Sequence, residues 1–291
     1  MRLKQLKNSL ILLLTATIWG LAFVAQSASL DHVPPFMFVF IRNVIAVIVL
    51  LPVALLVKNS GAENEQPGFK PVIKGGILCG LALGLASCLQ QYGMLYTTVG
   101  KAGFLTTLYI VMTPVAGLFL GRKCPKLTWI AVLLSLIGVY LLSMAEQTGV
   151  NRGDIAEILC AVVFTIQILL VDRFNVRVNV YKLACVQFAT VAVFSLLLSL
   201  AFGETVSFAD IRSAWLPILY TGVLSSGVAY TLQIVGQRGL NPTLASLIMS
   251  LESSIATLSG WLILHQALSV REFIGCVLMF AAIVLAQLRQ N

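Results

Sequence analysis

The feature that most constrains this chain is a series of apolar segments of about 20 residues, the length at which a helix spans the hydrocarbon core of a bilayer. Ten such segments occur, at about 8–27, 35–57, 73–92, 101–120, 127–145, 154–171, 181–203, 213–235, 242–264 and 269–288. Only 10% of the 291 residues are charged and 59% are apolar, which excludes an ordinary soluble domain. We therefore predict an all-α polytopic membrane protein with ten transmembrane helices.

The basic residues are distributed unequally between the two sides of such a bundle. Four lie in outer loops when the N-terminus is placed in the cytoplasm: Lys101, Arg152, Arg212 and Arg271. Fourteen lie on the inner side: Arg2, Lys4, Lys7, Lys58, Lys70, Lys74, Arg122, Lys123, Lys126, Arg173, Arg177, Lys182, Arg238 and Arg289. The positive-inside rule then predicts that both termini are cytoplasmic. The net charge of +8 follows from this topology, so we expect a lipid bilayer and no nucleic acid as partner.

The sequence shows no catalytic or metal-binding motif. Five of the six cysteines fall within spans and Cys124 falls in an inner loop, so neither a disulfide framework nor a metal site is expected. There is no HExxH pattern, phosphate-binding glycine loop or nucleophile with a base. We predict a protein that is not an enzyme and holds no cofactor. The first segment, which follows a basic start, is interpreted as a retained span and not as a cleaved signal peptide.

A shift of about 144 residues aligns the two halves of the chain, which is the signature of an internal repeat. Residues 130–141 then fall on residues 274–285, Trp129 falls on Phe273, and Leu89-Gln90 falls near Leu232-Gln233. Five helices in each half is an odd number, so the second half must enter the membrane from the opposite side. We predict two inverted five-helix repeats, residues 1–146 and 147–291, in one transmembrane domain. Inverted repeats are typical of secondary transporters, which bind substrate near the midplane.

Polar side chains inside the spans indicate where the interior of the bundle lies, because lipid cannot supply their hydrogen bonds. The third span carries Ser87, Gln90 and Gln91, and the fourth carries Gly103, Thr106, Tyr109 and Thr113. In the eighth and ninth spans they follow one helical face: Ser226, Tyr230, Gln233 and Gln237; Ser246, Ser250, Ser253, Thr257 and Gly260. A central cavity between these four spans explains the pattern. For the small and hydroxylated residues, helix packing is the alternative. The predicted substrate-binding residues are Trp19, Gln90, Gln91, Tyr109, Tyr230, Gln233 and Glu252.

Two ionisable residues lie within predicted spans, where a charge must pair, become neutral or face water. Glu252 is near the middle of the ninth span and has no basic neighbour one turn away. It suits a proton-coupling site or a counter-ion for an ammonium group, and a structural hydrogen bond is the alternative. Arg42 lies about 10 Å inside the second span, at 1.5 Å per residue. It could snorkel outward, pair with a carboxylate, or bind a substrate carboxylate.

Other polar residues have simpler interpretations. Asp154 and Glu157 fit an Asp-x-x-Glu capping box at the start of the sixth span. His265 is expected to be an interfacial histidine at the end of the ninth span. Trp261 is expected to pack or to anchor at the interface, whereas Trp19, beside Gly20, is also a candidate for the cavity wall. Gly76, Gly80 and Gly84 recur at every fourth residue and predict close helix packing.

Several motifs resemble those of the EamA-type branch of the drug/metabolite transporter superfamily. In the first half they are Ala16 to Phe23 (ATIWGLAF), Pro35 with Ile41-Arg42, Leu89 to Thr98 (LQQYGMLYTT) and Ala102 to Thr106 (AGFLT). In the second half they are Gly153-Asp154, Leu159 to Gln167, Ser226 to Gln233 and Ser250-Leu251-Glu252. The resemblance covers nearly the whole chain. It implies a ten-helix carrier of the bacterial cytoplasmic membrane that works by alternating access.

The resemblance places Glu252 in the family's Leu-Glu-Pro motif and Arg42 at its helix-2 arginine. Three positions depart from the family pattern. Ser253 replaces the usual Pro, which predicts a straighter ninth helix, Gln266 replaces the usual Glu after His265, and Arg122 occupies the matching position in the first half.

Three functional hypotheses follow. The first is an exporter of a small polar metabolite, such as an amino acid, in which Glu252 binds an amine or a proton. The second is an importer or exchanger of small organic anions or vitamins that binds them through Arg42. The third is a non-transporting membrane scaffold or integral enzyme, which a cavity reaching the midplane would disfavour. Proton coupling is a hypothesis, and the sequence leaves open a monomer or a homodimer.

Overall fold

A computed structural model of the protein describes residues 2–56, 69–97, 99–122, 124–143, 151–175, 178–264 and 269–288. The described residues form helices joined by turns, with no strand among them. Those of the first half are α1 (Arg2–Ser29), α2 (Pro35–Leu56), α3 (Phe69–Gly93), α4 (Val99–Thr107), α5 (Tyr109–Phe119) and α6 (Lys126–Ser143).

The second half begins with two long helices and continues with several shorter ones. These are α7 (Arg152–Phe174), α8 (Val180–Ala201), α9 (Phe208–Ser213), α10 (Trp215–Leu219), a π-helix (Tyr220–Tyr230), α11 (Thr231–Gly236), α12 (Pro242–Met249), α13 (Leu251–Leu264) and α14 (Val270–Leu288). Pro242 is the first residue of α12, where a backbone N–H would have no partner within the helix. The Asn241 side chain caps the helix by accepting a hydrogen bond from the Thr243 N–H.

In the part of the chain that the structure describes, seven helical segments are long and apolar enough to cross a membrane by themselves, when α4 is joined to α5 and α10 to the π-helix and α11. Large apolar side chains point away from the protein on these helices: Leu55 is 74% exposed and Phe119 is 87% exposed. Such surfaces are stable in lipid but not in water. The protein is therefore a multi-pass membrane protein, and its long helices bury polar side chains on the opposite faces.

The bundle is held together by extended helix pairs. Helix α6 packs along α14, α2 along α8, and α3 along both α7 and α8, while α1 packs on α13 and the π-helix. Gly76 and Gly80 permit the α3–α8 contact, because a Cβ on Gly80 would meet Gln187 O at 2.6 Å and one on Gly76 would meet Val186 Cβ at 2.5 Å. The packing role predicted for these glycines is confirmed.

Two of the helical segments are interrupted near their centres. Helix α4 ends at Thr107 and α5 begins at Tyr109, and α12 ends at Met249 with α13 beginning at Leu251. At the second break the Ser253 N–H bonds the carbonyl of Ser250, three residues back instead of four. The interruption is present although Ser253 replaces the family's proline, and a ninth helix straighter than in the family stays a prediction.

Candidate functional site

A cavity lies within the bundle, between α1, α2, α3, the α4/α5 break, α7, the π-helix, α11 and the α12/α13 break. The space between these helices that no atom occupies is about 460 Å³, and this volume includes the part that is open to solvent. Its floor includes the apolar side chains of Phe164, Ile168 and Met249. Its polar lining consists of Trp19, Gln26, Arg42, Gln90, Thr106, Tyr109, Ser225, Tyr230, Gln233 and Glu252.

Most of the residues predicted for the site line this cavity. The structure brings together Trp19, Gln90, Tyr109, Tyr230, Gln233, Glu252 and Arg42. Gln91 is the exception, because its Nε2 donates to Gln26 O at 3.2 Å and to Ser29 Oγ at 3.4 Å. Neighbouring residues on a helix point about 100° apart, so Gln90 and Gln91 could not both face the cavity. Gln91 ties α3 to α1 instead.

Glu252 lies in the first turn of α13, where the helix dipole favours a negative charge. Its side chain is 5% exposed, and its Oε1 accepts a hydrogen bond from the Tyr109 hydroxyl at 3.0 Å. Gly20 brings α1 close at this point, because a Cβ there would meet the Glu252 carbonyl at 2.7 Å. The carboxyl group is therefore fixed in the wall of the cavity without a basic partner among the described residues.

Arg42 is 2% exposed and its Nη1 donates to Gln26 Oε1 at 2.8 Å. Its guanidinium carbon lies 5.7 Å from the centre of the Phe38 ring, and its Nε is buried without a hydrogen-bond partner. Within the described ranges no carboxylate lies within 4 Å of it. Arg42 thus neither snorkels to the surface nor pairs with an acid. A guanidinium has five donors, and most of these are unused.

Tyr230 lines the cavity together with both charged groups, Arg42 and Glu252. Its ring packs on Trp19 with the centroids 4.6 Å apart, and the Trp19 Nε1 donates to Ser225 O at 3.3 Å. The sequence pattern placed Ser226 on this face, but Ser225 lines the cavity. The reason is the π-helix, whose hydrogen bonds span five residues and bring Ser225 above Tyr230.

The hydroxyl groups predicted along the ninth span do not face the cavity. Ser246 Oγ and Ser250 Oγ each donate to a backbone carbonyl three residues earlier. The Ser253 hydroxyl lies 2.9 Å from Thr107 Oγ1 and joins α13 to α4. These serines therefore serve helix packing, as the alternative interpretation of the stripe held.

Gln233 is fixed by a reciprocal pair of hydrogen bonds with Gln167 of α7. Gln233 Nε2 donates to Gln167 Oε1 at 3.1 Å, and Gln167 Nε2 donates to Gln233 Oε1 at 3.3 Å. Both side chains are almost fully buried. Gln233 lines the cavity whereas Gln167 does not, so the pair positions one wall residue.

We expect Gln233→Leu to lower the free energy of unfolding by about 1–3 kcal/mol, because it leaves the amide of Gln167 buried without partners. The double variant Gln167→Leu with Gln233→Leu removes both amides and should recover most of the loss. Apparent melting temperatures of the purified variants in detergent measure both effects. A double variant as unstable as Gln233→Leu alone would contradict the pairing.

Several residues near the cavity were not predicted from the sequence. Phe164 and Ile168 lie on α7, which corresponds to the sixth predicted span. This span contributes only apolar side chains to the cavity lining, so no polar pattern pointed to it. Gln26 lies at the end of the first span, where a polar residue is ordinary. Its hydrogen bond with Arg42 depends on how α1 and α2 pack against each other, which the sequence does not show.

The capping-box prediction placed its residues one helical turn too late. Asn151 is the N-cap of α7, and it exchanges hydrogen bonds with Asp154, the third residue of the helix. Asp154 also accepts from Lys101 Nζ at 2.7 Å and from Thr97 Oγ1 at 3.0 Å. Glu157 is not part of the cap: it is fully buried and its Oε2 accepts from the Thr106 hydroxyl at 2.7 Å. The Asn151-x-x-Asp154 spacing was the signal that could have identified the true cap.

The opposite end of the bundle contains two further arginines. Arg122 pairs with Asp172 across the ends of α5 and α7, at 2.6 Å. Arg238 donates through Nε to Asn175 O at 2.9 Å and through Nη2 to Val178 O at 2.8 Å. Burial lowers the pKa of Arg238 from its ordinary value. The predictions for His265, Gln266 and the Trp261 side chain lie outside the described residues.

A comparison with protein families decides the membership of the chain. A model of the EamA-like transporter family matches residues 6–144 and again residues 151–288. The chain belongs to the EamA-like transporter family. The family is part of the drug/metabolite transporter superfamily, so the resemblance of the sequence motifs is confirmed. This EamA-like protein is accordingly a membrane transporter.

Relatives of this EamA-like transporter occur in archaea and bacteria. An uncharacterized transporter of Archaeoglobus fulgidus is 31% identical over 287 residues, covering 98% of this chain and 87% of the relative. One from Clostridium kluyveri is 25% identical and covers 93% of this chain and 90% of the relative. The uncharacterized transporter YoaV of Bacillus subtilis is 22% identical, with 91% of each chain covered.

The fold of the EamA-like transporter is also found in a crystal structure. That structure superposes with a TM-score of 0.79 and covers 97% of this chain and 96% of its own. The two sequences are 21% identical, so the likeness concerns the fold alone.

Proposed function

We propose that this EamA-like transporter is a secondary active carrier that exports a small zwitterionic metabolite, with an amino acid as the first candidate. The observation that carries the proposal is one cavity with a carboxylate and a guanidinium in its wall, each without an oppositely charged partner among the described residues. Buried charges of this kind are costly unless something pairs with them. A substrate with one amino and one carboxylate group supplies both partners.

Arg42 is proposed to bind the substrate carboxylate. Its Nη1 is occupied by Gln26, and its buried Nε has no partner. A carboxylate that accepts two parallel N–H bonds from a guanidinium would satisfy Nε together with a terminal nitrogen. The neighbouring Tyr230 and Gln90 provide hydroxyl and amide groups for the rest of a polar substrate.

Glu252 is proposed to bind the substrate amine. Among the described residues, one of its two carboxylate oxygens accepts a hydrogen bond, from the Tyr109 hydroxyl, and the side chain lines the cavity. Trp19 and Tyr230 line the same cavity, and aromatic faces attract a cation by about 0.5–2 kcal/mol. An ammonium group in this position therefore gains a carboxylate and two aromatic rings.

The arrangement of the helices supports alternating access between two inverted repeats, 1–146 and 147–291, with ten transmembrane helices. The repeat offset of about 144 residues brings the break at Leu108 to within two residues of the break at Ser250. The contacts are paired in the same way: α2 packs on the π-helix as α8 packs on α3, and α1 packs on α13 as α7 packs on α5. Broken helices that meet near the midplane are a feature of inverted-repeat transporters.

The orientation is proposed from the distribution of basic residues. Both termini then lie in the cytoplasm, and the membrane is the bacterial cytoplasmic membrane. Arg122 and Arg238 mark the cytoplasmic end of the bundle, and Lys101 and Arg152 mark the outer end. The end of the cavity lined by Gln26 and Gln90 is nearer the outer side.

The proposal is tested in proteoliposomes with radiolabelled amino acids. Glu252→Gln and Glu252→Ala are expected to reduce exchange about tenfold to a hundredfold, because a hydrogen bond to a charged group is worth ~1.5–3 kcal/mol. Glu272→Gln is the matched control, since Glu272 caps α14 away from the cavity. Undiminished transport in both Glu252 variants would remove this residue from the mechanism.

A second candidate function is an importer or exchanger of organic anions or vitamins. The unpartnered Nε of Arg42 favours it, because an anion without an amine would satisfy the guanidinium equally well. Transport of carboxylates that is sensitive to Arg42→Gln but not to Glu252→Gln would identify this function. A non-transporting scaffold is disfavoured, because the cavity contacts Gln90, Tyr109, Tyr230 and Glu252 together.

A further inference from the structure

A second buried carboxyl group lies directly behind the wall of the cavity. Glu157, in the second turn of α7, is fully buried and is not part of the cavity lining. Its Oε1 is buried without a hydrogen-bond partner. It fills space that the missing side chain of Gly93 leaves open, because a Cβ at position 93 would meet Oε1 at 2.7 Å. No cap or ion pair within the described ranges explains its presence.

A short chain of hydrogen bonds connects Glu157 with the cavity. The Thr106 hydroxyl donates to Glu157 Oε2 at 2.7 Å, and Gln90 Nε2 donates to Thr106 Oγ1 at 3.3 Å. Thr106 and Gln90 both line the cavity. A substrate that bonds the Gln90 amide thus alters the donor that Thr106 offers to Glu157. Occupancy of the cavity and the charge of Glu157 are linked by two side chains.

No cation pairs with Glu157 among the described residues. Asp154 and Cys160 interact with it electrostatically from the same helix. On α4 it meets Thr106, while Lys101 of that helix is held by Asp154 at 2.7 Å. Helix α3 meets it with Gly93. An ionised carboxylate would keep one oxygen without any partner, whereas a neutral acid leaves only an uncharged group there.

We propose that Glu157 is a proton-binding site of the carrier, and that Thr106 and Gln90 couple its protonation to occupation of the cavity. The proposal rests on the proposed function, in which a substrate enters that cavity. Glu157 is not part of the cavity lining, so its carboxyl group can bind a proton while a substrate occupies the cavity. One proton enters from one side of the membrane and binds to the carboxylate oxygen of Glu157. It is released from that oxygen to the other side, while Glu252 stays available for the substrate.

The first test uses infrared spectroscopy of the purified full-length protein in lipid nanodiscs across a pH series. We expect a carbonyl band of a protonated carboxylic acid that disappears in Glu157→Gln and persists in Glu252→Gln, the matched control. Glutamine keeps the size of the side chain and an oxygen for Thr106, but it cannot bind the proton. Identical spectra of Glu157→Gln and the wild type at every pH would overturn the proposal.

A second pair of variants tests the link to the cavity and remains informative should Glu157→Gln fold poorly. Thr106→Val removes the donor to Oε2 and is expected to move the pH midpoint of the acid band. Thr106→Ser keeps the hydroxyl and should leave the midpoint in place. An unchanged midpoint in Thr106→Val would show that the hydrogen bond does not couple the carboxyl to the cavity.

Transport separates failure of this proposal from failure of the proposed function. In proteoliposomes with a radiolabelled mixture of the proteinogenic amino acids, Glu157→Gln should exchange substrate close to the wild-type rate. Its uptake driven by a pH gradient should fall about tenfold or more, the size of a typical coupling between sites. Equal losses in both assays contradict a proton site. A wild type that exchanges no amino acid refutes the proposed substrate, while the infrared bands still decide the role of Glu157.

Discussion

Replacing Asp154 with alanine is expected to lower the free energy of unfolding by about 3–5 kcal/mol, because the buried ammonium group of Lys101 loses its carboxylate. Asp154 is 2% exposed and accepts three hydrogen bonds, from Lys101, Thr97 and the Asn151 backbone. These contacts join the start of α7 to α4 and to the turn after α3. The apparent melting temperature of purified protein measures the loss.

A matched control exists in the same chain. Asp210 forms the same kind of capping box with Ser207 at the start of α9, but at an exposed position and without an ion pair among the described residues. Asp210→Ala should therefore change the melting temperature much less than Asp154→Ala. The double variant Lys101→Met with Asp154→Asn removes both charges and should recover stability relative to Asp154→Ala. Equal losses for Asp154→Ala and Asp210→Ala would show that the ion pair contributes little.

Much of the candidate site was predictable because a polar group in lipid needs a partner. Gln90, Tyr109, Tyr230 and Glu252 stand out as costly residues in apolar segments, and all four meet in one cavity. The same rule cannot separate a residue that faces a cavity from one that bonds a neighbouring helix. Gln91 and Ser253 obey it equally well, yet Gln91 bonds α1 and Ser253 bonds α4.

The remaining errors concern which side of a helix a given side chain faces. A regular α-helix places Ser226 above Tyr230, whereas the π-helix of residues 220–230 places Ser225 there. Nothing in the composition of this segment distinguishes a π-helix from an α-helix, because the extra residue per turn is stabilised by contacts with α1 and α2. The partnership of Gln26 with Arg42 likewise depends on how two helices pack.

Glu157 shows how a local motif can hide a tertiary role. The spacing Asp154-x-x-Glu157 satisfies the rule for a capping box, but the helix begins three residues earlier at Arg152 and is capped by Asn151. Glu157 is thereby free of the cap and is covered by α3 and α4, a position that only the packed bundle defines.

Arg42→Met is expected to abolish transport while leaving the protein as stable as the wild type or more stable. The guanidinium of Arg42 is buried with Gln26 as its hydrogen-bond partner, and its Nε has none. Replacing a poorly compensated buried charge with an apolar side chain of similar length removes the cost of keeping that charge out of water. The melting temperature should therefore stay or rise. Transport should fall, because the proposed substrate carboxylate loses the guanidinium that the described part of the cavity wall offers it.

Arg238→Met provides the contrast, because Arg238 is satisfied by the protein itself. It donates to the carbonyls of Asn175 and Val178, which would lose their donors in this variant. We expect Arg238→Met to melt at a lower temperature than the wild type, opposite in sign to Arg42→Met. Thermal melting in detergent and exchange in proteoliposomes, measured on the same preparations, give both quantities. If Arg42→Met lowers the melting temperature as much as Arg238→Met does, Arg42 has a structural role. Replacing a residue that serves only to bind substrate should reduce transport without reducing stability.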